Sequence, residues 1–268
     1  VSAAWILVTN DDGVDSPALP PLLQALARLL PVRAVVPASE CSWTAKVMSR
    51  FRRVEVVARP DIGAEVWSAS GYPADCANLG VHSLFASPPA LVVSGVNLGN
   101  NAGLAYLLSS GTVGAALEGA LAGVPALAFS VQLADRDYAR WRQHRELNPG
   151  VAALLAASAS VAAEITAEVL AGGLPAGADL LNVNLPARLG PATPRRFAAV
   201  TRTAYGPYFA PADDQGGFAY HFSGLAVKSG DAGGDVATLS RGEVAITAVR
   251  LTLAATPDPG ERARFERG

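Results

Sequence analysis

The chain is poor in the side chains that build most soft-metal and redox sites. It holds two cysteines, Cys41 and Cys76, and three histidines, His82, His144 and His221, spread over 268 residues. Two cysteines make neither a disulfide framework nor a zinc-binding spacing, which fits a reducing, cytoplasmic location. The scattered histidines leave no His-rich metal site. An excess of charge is also missing. The 21 basic and 23 acidic side chains give a formal net charge of −2, so nothing marks a nucleic-acid surface or an anionic membrane as a partner. The GxxxxGK[ST] phosphate loop, a GxGxxG turn after a strand and a GxSxG elbow are all absent, which removes three common nucleotide and hydrolase architectures.

A secretory leader is not expected either. The N-terminal apolar run has no basic flank and stops within ten residues at two acids, so it reads as a strand. One stretch, 151–174, approaches membrane length. It is interrupted by Ser158, Ser160, Glu164, Thr166 and Glu168. Its larger apolar residues, Leu154, Leu155, Val161, Ile165 and Val169, recur at helical spacing, as in a packed helix of a soluble protein.

What is present is apolar bulk. Half of the residues are hydrophobic, enough for one large domain or one domain with an extension. Buried-strand runs alternate with helical patterns. Ile6–Thr9 reads as a strand, then a helix capped by Ser16 and opened by Pro17 that runs to about Leu30 with Leu22, Leu23, Leu26 and Leu30 on one stripe, then a strand at Val32–Pro37. This is a β-α-β unit with parallel strands. A polar loop from Ala38 to Arg50 follows. Short strands are expected at 54–57 and 66–70, a helix at 72–85, a strand at 90–95, a Gly/Asn-rich loop at 98–109, a helix at 111–123 and a strand at 126–131. A long helix at 150–171 and a strand at 180–185 complete the pattern. The class is α/β with a mostly parallel sheet, the core spanning 1–187.

After Pro186 the texture changes. Tyr205, Tyr208, Phe209, Phe218, Tyr220 and Phe222 cluster among prolines and glycines, with strand-like pieces at 197–204 and 243–249. Residues 188–268 read as a β-rich extension with a projecting hairpin or arm, ending in a charged, solvated tail from Gly260 to Gly268. Two readings of the aromatics stand: a subunit contact, or a loop folded onto its own core.

The polar clusters gain meaning from the sheet. Parallel α/β sheets bind ligands beyond the carboxyl ends of their strands. Asn10-Asp11-Asp12-Gly13 follows the first strand, Ser42 follows the second by a few residues, and Asn97 follows ALVVSG. Adjacent carboxylates repel unless a cation or shared proton offsets them. Every candidate ligand is an oxygen donor, which suits magnesium, manganese or calcium over zinc. Two protein charges leave the ion room for water and a substrate oxygen. Ser109-Ser110-Gly111-Thr112 opens a helix whose free N–H groups suit an anion. The chemistry this set fits is phosphomonoester hydrolysis, with Asp11 or Asp12 taking the proton of the attacking water. Singly, each piece has a plainer reading: Asp-Asp-Gly and Asn97 as turns, Ser-Gly-Thr as a helix cap.

Several stretches also carry a family likeness. TNDDGVDSPAL at 9–19, the loop around Ser42, GYPADC at 71–76, VVSGVNLGNNAG at 92–103, SGTVGAALEGALAGVPALA at 110–128 and GDVATLSRGEVAIT at 234–247 together resemble the SurE family, the stationary-phase survival proteins. The resemblance implies a Rossmann-like core with helices on both faces of the sheet, and a metal-dependent nucleotidase acting on nucleoside 5′- and 3′-monophosphates and, in some members, short polyphosphate. It implies one divalent cation per subunit on Asp11, Asp12, Ser42 and Asn97, and phosphate contacts from Asn101, Ser110, Gly111 and Thr112. A C-terminal arm exchanged between subunits would make a homodimer or homotetramer. The sequence departs from the pattern at Trp43, where glycine is common, at Tyr72, where threonine is usual, and at Leu104-Ala105, which replaces an acidic pair. A nucleotide-binding protein with little catalysis is the contrasting expectation.

Overall fold

Strand β1 (Ile6–Thr9) is buried along its whole length and organises the chain around it. The computed structural model describes residues 3–63, 65–213, 216–221, 224–228 and 232–266. Phe222 and the last two residues of the tail lie outside them. After β1 come α1 (Leu19–Leu26), β2 (Val32–Pro37), β3 (Val56–Ala58), β4 (Val66–Ala69), α2 (Pro73–His82), β5 (Leu91–Leu98), α3 (Leu104–Ser109), α4 (Gly111–Leu121) and β6 (Ala126–Val131). The second half runs α5 (Asp135–His144), α6 (Pro149–Gly172), β7 (Leu180–Leu185), β8 (Arg195–Phe197), β9 (Thr203–Ala204), β10 (Phe209–Pro211), β11 (Phe218–Tyr220), β12 (Ala226–Val227), α7 (Asp235–Ser240), β13 (Val244–Val249) and α8 (Pro259–Phe265).

Among the described residues, nine strands form one sheet in the order β3-β4-β2-β1-β5-β6-β7-β13-β8. Pairing is parallel from β4 through β7, while β3 and β13 join antiparallel. Period-two alternation sends Ile6 and Val8 to one face and Trp5 and Leu7 to the other. Helices α1 and α6 cover the first face through Leu19, Leu22, Leu26, Leu155, Val161 and Ile165. Helices α2 and α4 cover the second through Cys76, Val81, Val113 and Ala116. The near-membrane-length helix α6 therefore spends its buried side on this core. Burial of Leu22 in α1 is worth about 1.5–3 kcal/mol, and Leu22→Ala would cost about 2–5 kcal/mol.

Several boundaries differ from the sequence reading, each for a local reason. Helix α1 begins at Leu19, not at Pro17, and Ala18 rather than Ser16 precedes it without a side-chain cap. Pro20 and Pro21 have no N–H, so they are tolerated only in a first turn, and this pushes the start forward. Pro31 ends the helical stretch early by restricting Leu30. The expected loop at 98–109 contains α3, and the charged stretch at 135–144 is helix α5. The piece expected at 197–204 is divided between β8 and β9. Beyond residue 188 the chain supplies β8 and β13 to the main sheet, and β10 and β11 form a separate antiparallel hairpin with exposed Phe209, Phe218 and Tyr220.

Candidate metal and phosphate site

Chain direction reverses across the sheet at β1. From it the strands step outward to β2 and β4, and the chain then returns to its other side at β5. Such a switch point opens a crevice beyond the strand ends. A cavity of about 370 Å³ lies there, lined among others by Asp11, Asp12, Ser42, Asn97, Asn101 and Ser110. Residues distant in sequence thus meet at one rim.

The loop after β1 is shaped by its own side chains. Asn10 Oδ1 accepts from the Gly13 N–H at 3.1 Å, and Asn10 Nδ2 donates to the Gly13 carbonyl at 3.0 Å. Gly13 has φ +86°, and a Cβ there would stand 2.7 Å from the Ser39 carbonyl carbon. Only glycine lets the Asp loop and the Ser42 loop approach this closely. The Cys41 N–H then donates to the Asp11 carbonyl at 2.7 Å, joining the two loops. Gly111 plays a similar part on the other side: a Cβ would lie 2.8 Å from Asp11 Cβ. Its absence seats the start of α4 directly behind Asp11.

Each candidate ligand is tethered through one atom. The Thr112 hydroxyl donates to Asp11 Oδ1 at 2.6 Å, and the Leu98 N–H donates to Asp12 Oδ2 at 3.1 Å. Asn97 Nδ2 donates to the Gly99 carbonyl at 2.8 Å. The Ser42 hydroxyl donates to Glu40 Oε1 at 2.6 Å, which leaves its oxygen lone pairs available to accept. Glu40 is itself held by Arg145 at 2.9 Å, reaching over from the end of α5. Orienting partners of this kind are what oxygen ligands of a hard cation need.

Electrostatics point the same way. Burial pushes the Asp11 carboxyl up to about 6, although the Thr112 hydroxyl and backbone N–H pull it back. Burial, followed by the negative charge of Asp11, holds Asp12 well above the ordinary carboxylate range. Two acids pressed together at a buried rim are costly as anions and become favourable once a cation shares them. Among the described residues no group of three or more His, Cys, Asp or Glu side chains is assembled for a metal. The candidate donor set is a hard, mixed one of two carboxylates, a hydroxyl and an amide, a chemistry that suits a magnesium- or manganese-type ion.

The family model described as Survival protein SurE matches residues 6–208. The chain belongs to the SurE family. It is 34% identical over 269 residues to a protein of Methanocella arvoryzae named 5′-nucleotidase SurE, covering 98% of this chain and 97% of that one. A protein of the same name from Methanoculleus marisnigri is 35% identical over 254 residues, covering 93% and 92%. The crystal structure of the SurE protein from Aquifex aeolicus superposes with a TM-score of 0.75 at 27% identity, covering 93% of this chain and 94% of that one. The parallel α/β core is thus that of the SurE fold, here with added C-terminal strands.

Within this SurE-family chain the expected phosphate contacts divide. Asn101 and Ser110 border the cavity, and Ser110 Oγ also caps α4 by accepting from the Val113 N–H at 3.1 Å. Gly111 and Thr112 sit against Asp11, and the Thr112 hydroxyl is spent on its carboxylate. Glu118, about two turns further along α4, accepts from Asn78 at 2.7 Å and pairs with Lys46 at 2.5 Å, a structural bond. Neither His82 nor His144 nor His221 borders the cavity.

The sequence reading missed a clamp behind Asn101. Asn184 Oδ1 accepts from the Asn101 N–H at 2.7 Å, and Asn182 Nδ2 donates to the Asn101 carbonyl at 3.0 Å. The Asn101 side chain donates to Ser130 Oγ at 2.7 Å. Both clamp residues are fully buried on β7. Their signal was in LLNVNL: two asparagines at period two inside an otherwise apolar central strand are expensive unless bonded. Glu40, Tyr106, Tyr138 and Trp141 also border the cavity and were not singled out.

Proposed function

We propose that this SurE-family enzyme is a divalent-metal-dependent phosphomonoesterase that hydrolyses nucleoside 5′-monophosphates, and with them 3′-monophosphates, to nucleoside and phosphate, with short polyphosphate, cleaved to phosphate, as a further substrate. The observation that carries the reading is the arrangement of Asp11, Asp12, Ser42 and Asn97 on one cavity rim, each oriented through one hydrogen bond. The relatives named 5′-nucleotidase SurE support the substrate class.

The four residues would hold one magnesium or manganese ion, with calcium a poorer substitute. When bound, that ion supplies Lewis-acid neutralisation of phosphoryl charge and lowers the pKa of water. The remaining work belongs to the chain. Asn101 and Ser110 border the phosphate end and offer amide and hydroxyl groups to its oxygens. The first turn of α4 adds a favourable dipole for an anion. Asp11 and Asp12 are the carboxylates at hand to accept the proton of the attacking water. Thr112 orients Asp11 for that task, and the Asn182–Asn184 clamp fixes the loop that presents Asn101.

The hairpin β10–β11, with Phe209 and Phe218 about two-thirds exposed, is the segment suited to a contact between subunits in a homodimer or homotetramer. We take residues 1–187 as the catalytic core and 188–268 as the extension that carries this arm, and we place the enzyme in the cytoplasm. The test of the activity is phosphate release from AMP and GMP by purified protein in manganese or magnesium. Release that stops on chelation and returns with the metal supports the reading; no release with any divalent ion rejects it.

A further inference from the structure

One rim of the cavity is aromatic. Trp43 follows Ser42 directly and borders the cavity together with Tyr106 and Tyr220, while Tyr138 and Trp141 of α5 border it as well. The Trp43 backbone has φ +62°. A bulky L-residue rarely takes this left-handed conformation, and it persists only where the surroundings hold it. Here the holding contacts are rings: Trp43 meets Tyr106 edge-on at 5.7 Å between centroids, Tyr205 at 5.3 Å and Tyr208 at 5.5 Å. Tyr205 is anchored in turn, its hydroxyl 2.5 Å from the Ala105 carbonyl and 2.7 Å from Ser109 Oγ. Despite this packing the indole residue is still 43% exposed.

A tryptophan held among the described residues by three tyrosine rings, 43% exposed and placed one residue from a metal-donor hydroxyl, is suited to act as a stacking surface. Rigid aromatic side chains of this kind bind bases through their π-faces with little entropic loss. The cavity volume of about 370 Å³ lies within the range of small-molecule sites. With the phosphate at the Asp11–Ser110 end, a ribose carries the base toward this rim.

We propose that Trp43, backed by Tyr106, is the wall on which the substrate's nucleobase stacks, so that the pocket selects nucleotides over phosphomonoesters lacking an aromatic base. This rests on the nucleotidase reading above and adds a specificity residue to it. Trp43 is a base-binding residue in this account and takes no part in the bond cleavage.

The test compares AMP with ribose 5-phosphate, which shares the phosphate and sugar but has no base. In the full-length enzyme with manganese, Trp43→Ala should lower the ratio of kcat/KM for AMP to that for ribose 5-phosphate by about tenfold or more, mainly through the KM for AMP. Trp43→Phe should restore most of the ratio. AMP should quench the tryptophan fluorescence of the wild type, the larger part of that quenching should be lost in Trp43→Phe, and ribose 5-phosphate should quench neither. An unchanged ratio, or an equal loss on both substrates, overturns the proposal. If the wild type hydrolyses neither compound, the nucleotidase reading fails, and the fluorescence comparison still decides whether a base stacks on Trp43.

Discussion

Asp11 offers a test in which a loss of function comes with a gain of stability. In the metal-free protein its carboxyl titrates near 6, against 3.8 for the unperturbed group. Between those values the folded state binds more protons than the unfolded chain, so stability falls as pH rises through that window. The full effect is about 3 kcal/mol, at about 1.4 kcal/mol per pH unit. Asp11→Asn keeps the shape and an acceptor for Thr112, and removes this charge together with its repulsion of Asp12. The amide resembles the protonated carboxyl, and the shift to about 6 already contains the Thr112 bond to the charged form. The variant should therefore be more stable than the wild type by about 3 kcal/mol at pH 7.5 in chelator, about 6–12 °C in Tm for a chain of this size. The difference should vanish near pH 4, where the wild-type carboxyl is protonated in the folded state. Thermal melts of both proteins in EDTA across pH 4–8 give the answer. A variant that is less stable by the same amount at every pH would refute the argument that Asp11 is held at a cost a cation relieves.

Other perturbations follow from the same contacts. Glu40→Ala removes the acceptor of the Ser42 proton, and manganese affinity, read by calorimetry, should fall about 10–100-fold with the fold unchanged. Asn184→Leu strips the Asn101 N–H of its buried acceptor; urea unfolding should show a loss of about 1–3 kcal/mol, and kcat should drop with it. Asp235 is fully buried and accepts from the N–H groups of Thr201, Val236 and Gly103 at 2.8–2.9 Å. Asp235→Asn turns an amide donor toward those donors, and should cost about 2–4 kcal/mol by the same unfolding assay.

The parts of the fold readable in the sequence are those set by a single strong signal. β1, β2, β6 and β7 are mainly apolar stretches closed by turn or polar residues, and their limits in the structure match those read from the sequence. α1 was read too long because its leucine stripe extends past the residues that Pro20, Pro21 and Pro31 allow to be helical. α5 was passed over because DRDYARWRQH is dominated by charge; what holds it is Trp141, buried in the core beside α6. The site was legible only as an edge. The strand-end rule brought Asp11, Ser42 and Asn97 to one rim, where the structure also has them. It could not tell that Thr112 faces Asp11, that Glu40 takes the Ser42 proton, or that Asn182 and Asn184 hold Asn101 from a strand far along the chain. Those roles depend on which way a side chain turns, and residue type at a given spacing does not carry that information.

The central claim is that four oxygen donors share one divalent ion. Titration calorimetry of manganese into the chelator-stripped wild type and Asp11→Asn at pH 7.5 tests it most directly. The account predicts one ion per chain in the wild type and binding weakened by at least tenfold in the variant. Equal affinity in the two proteins would contradict it.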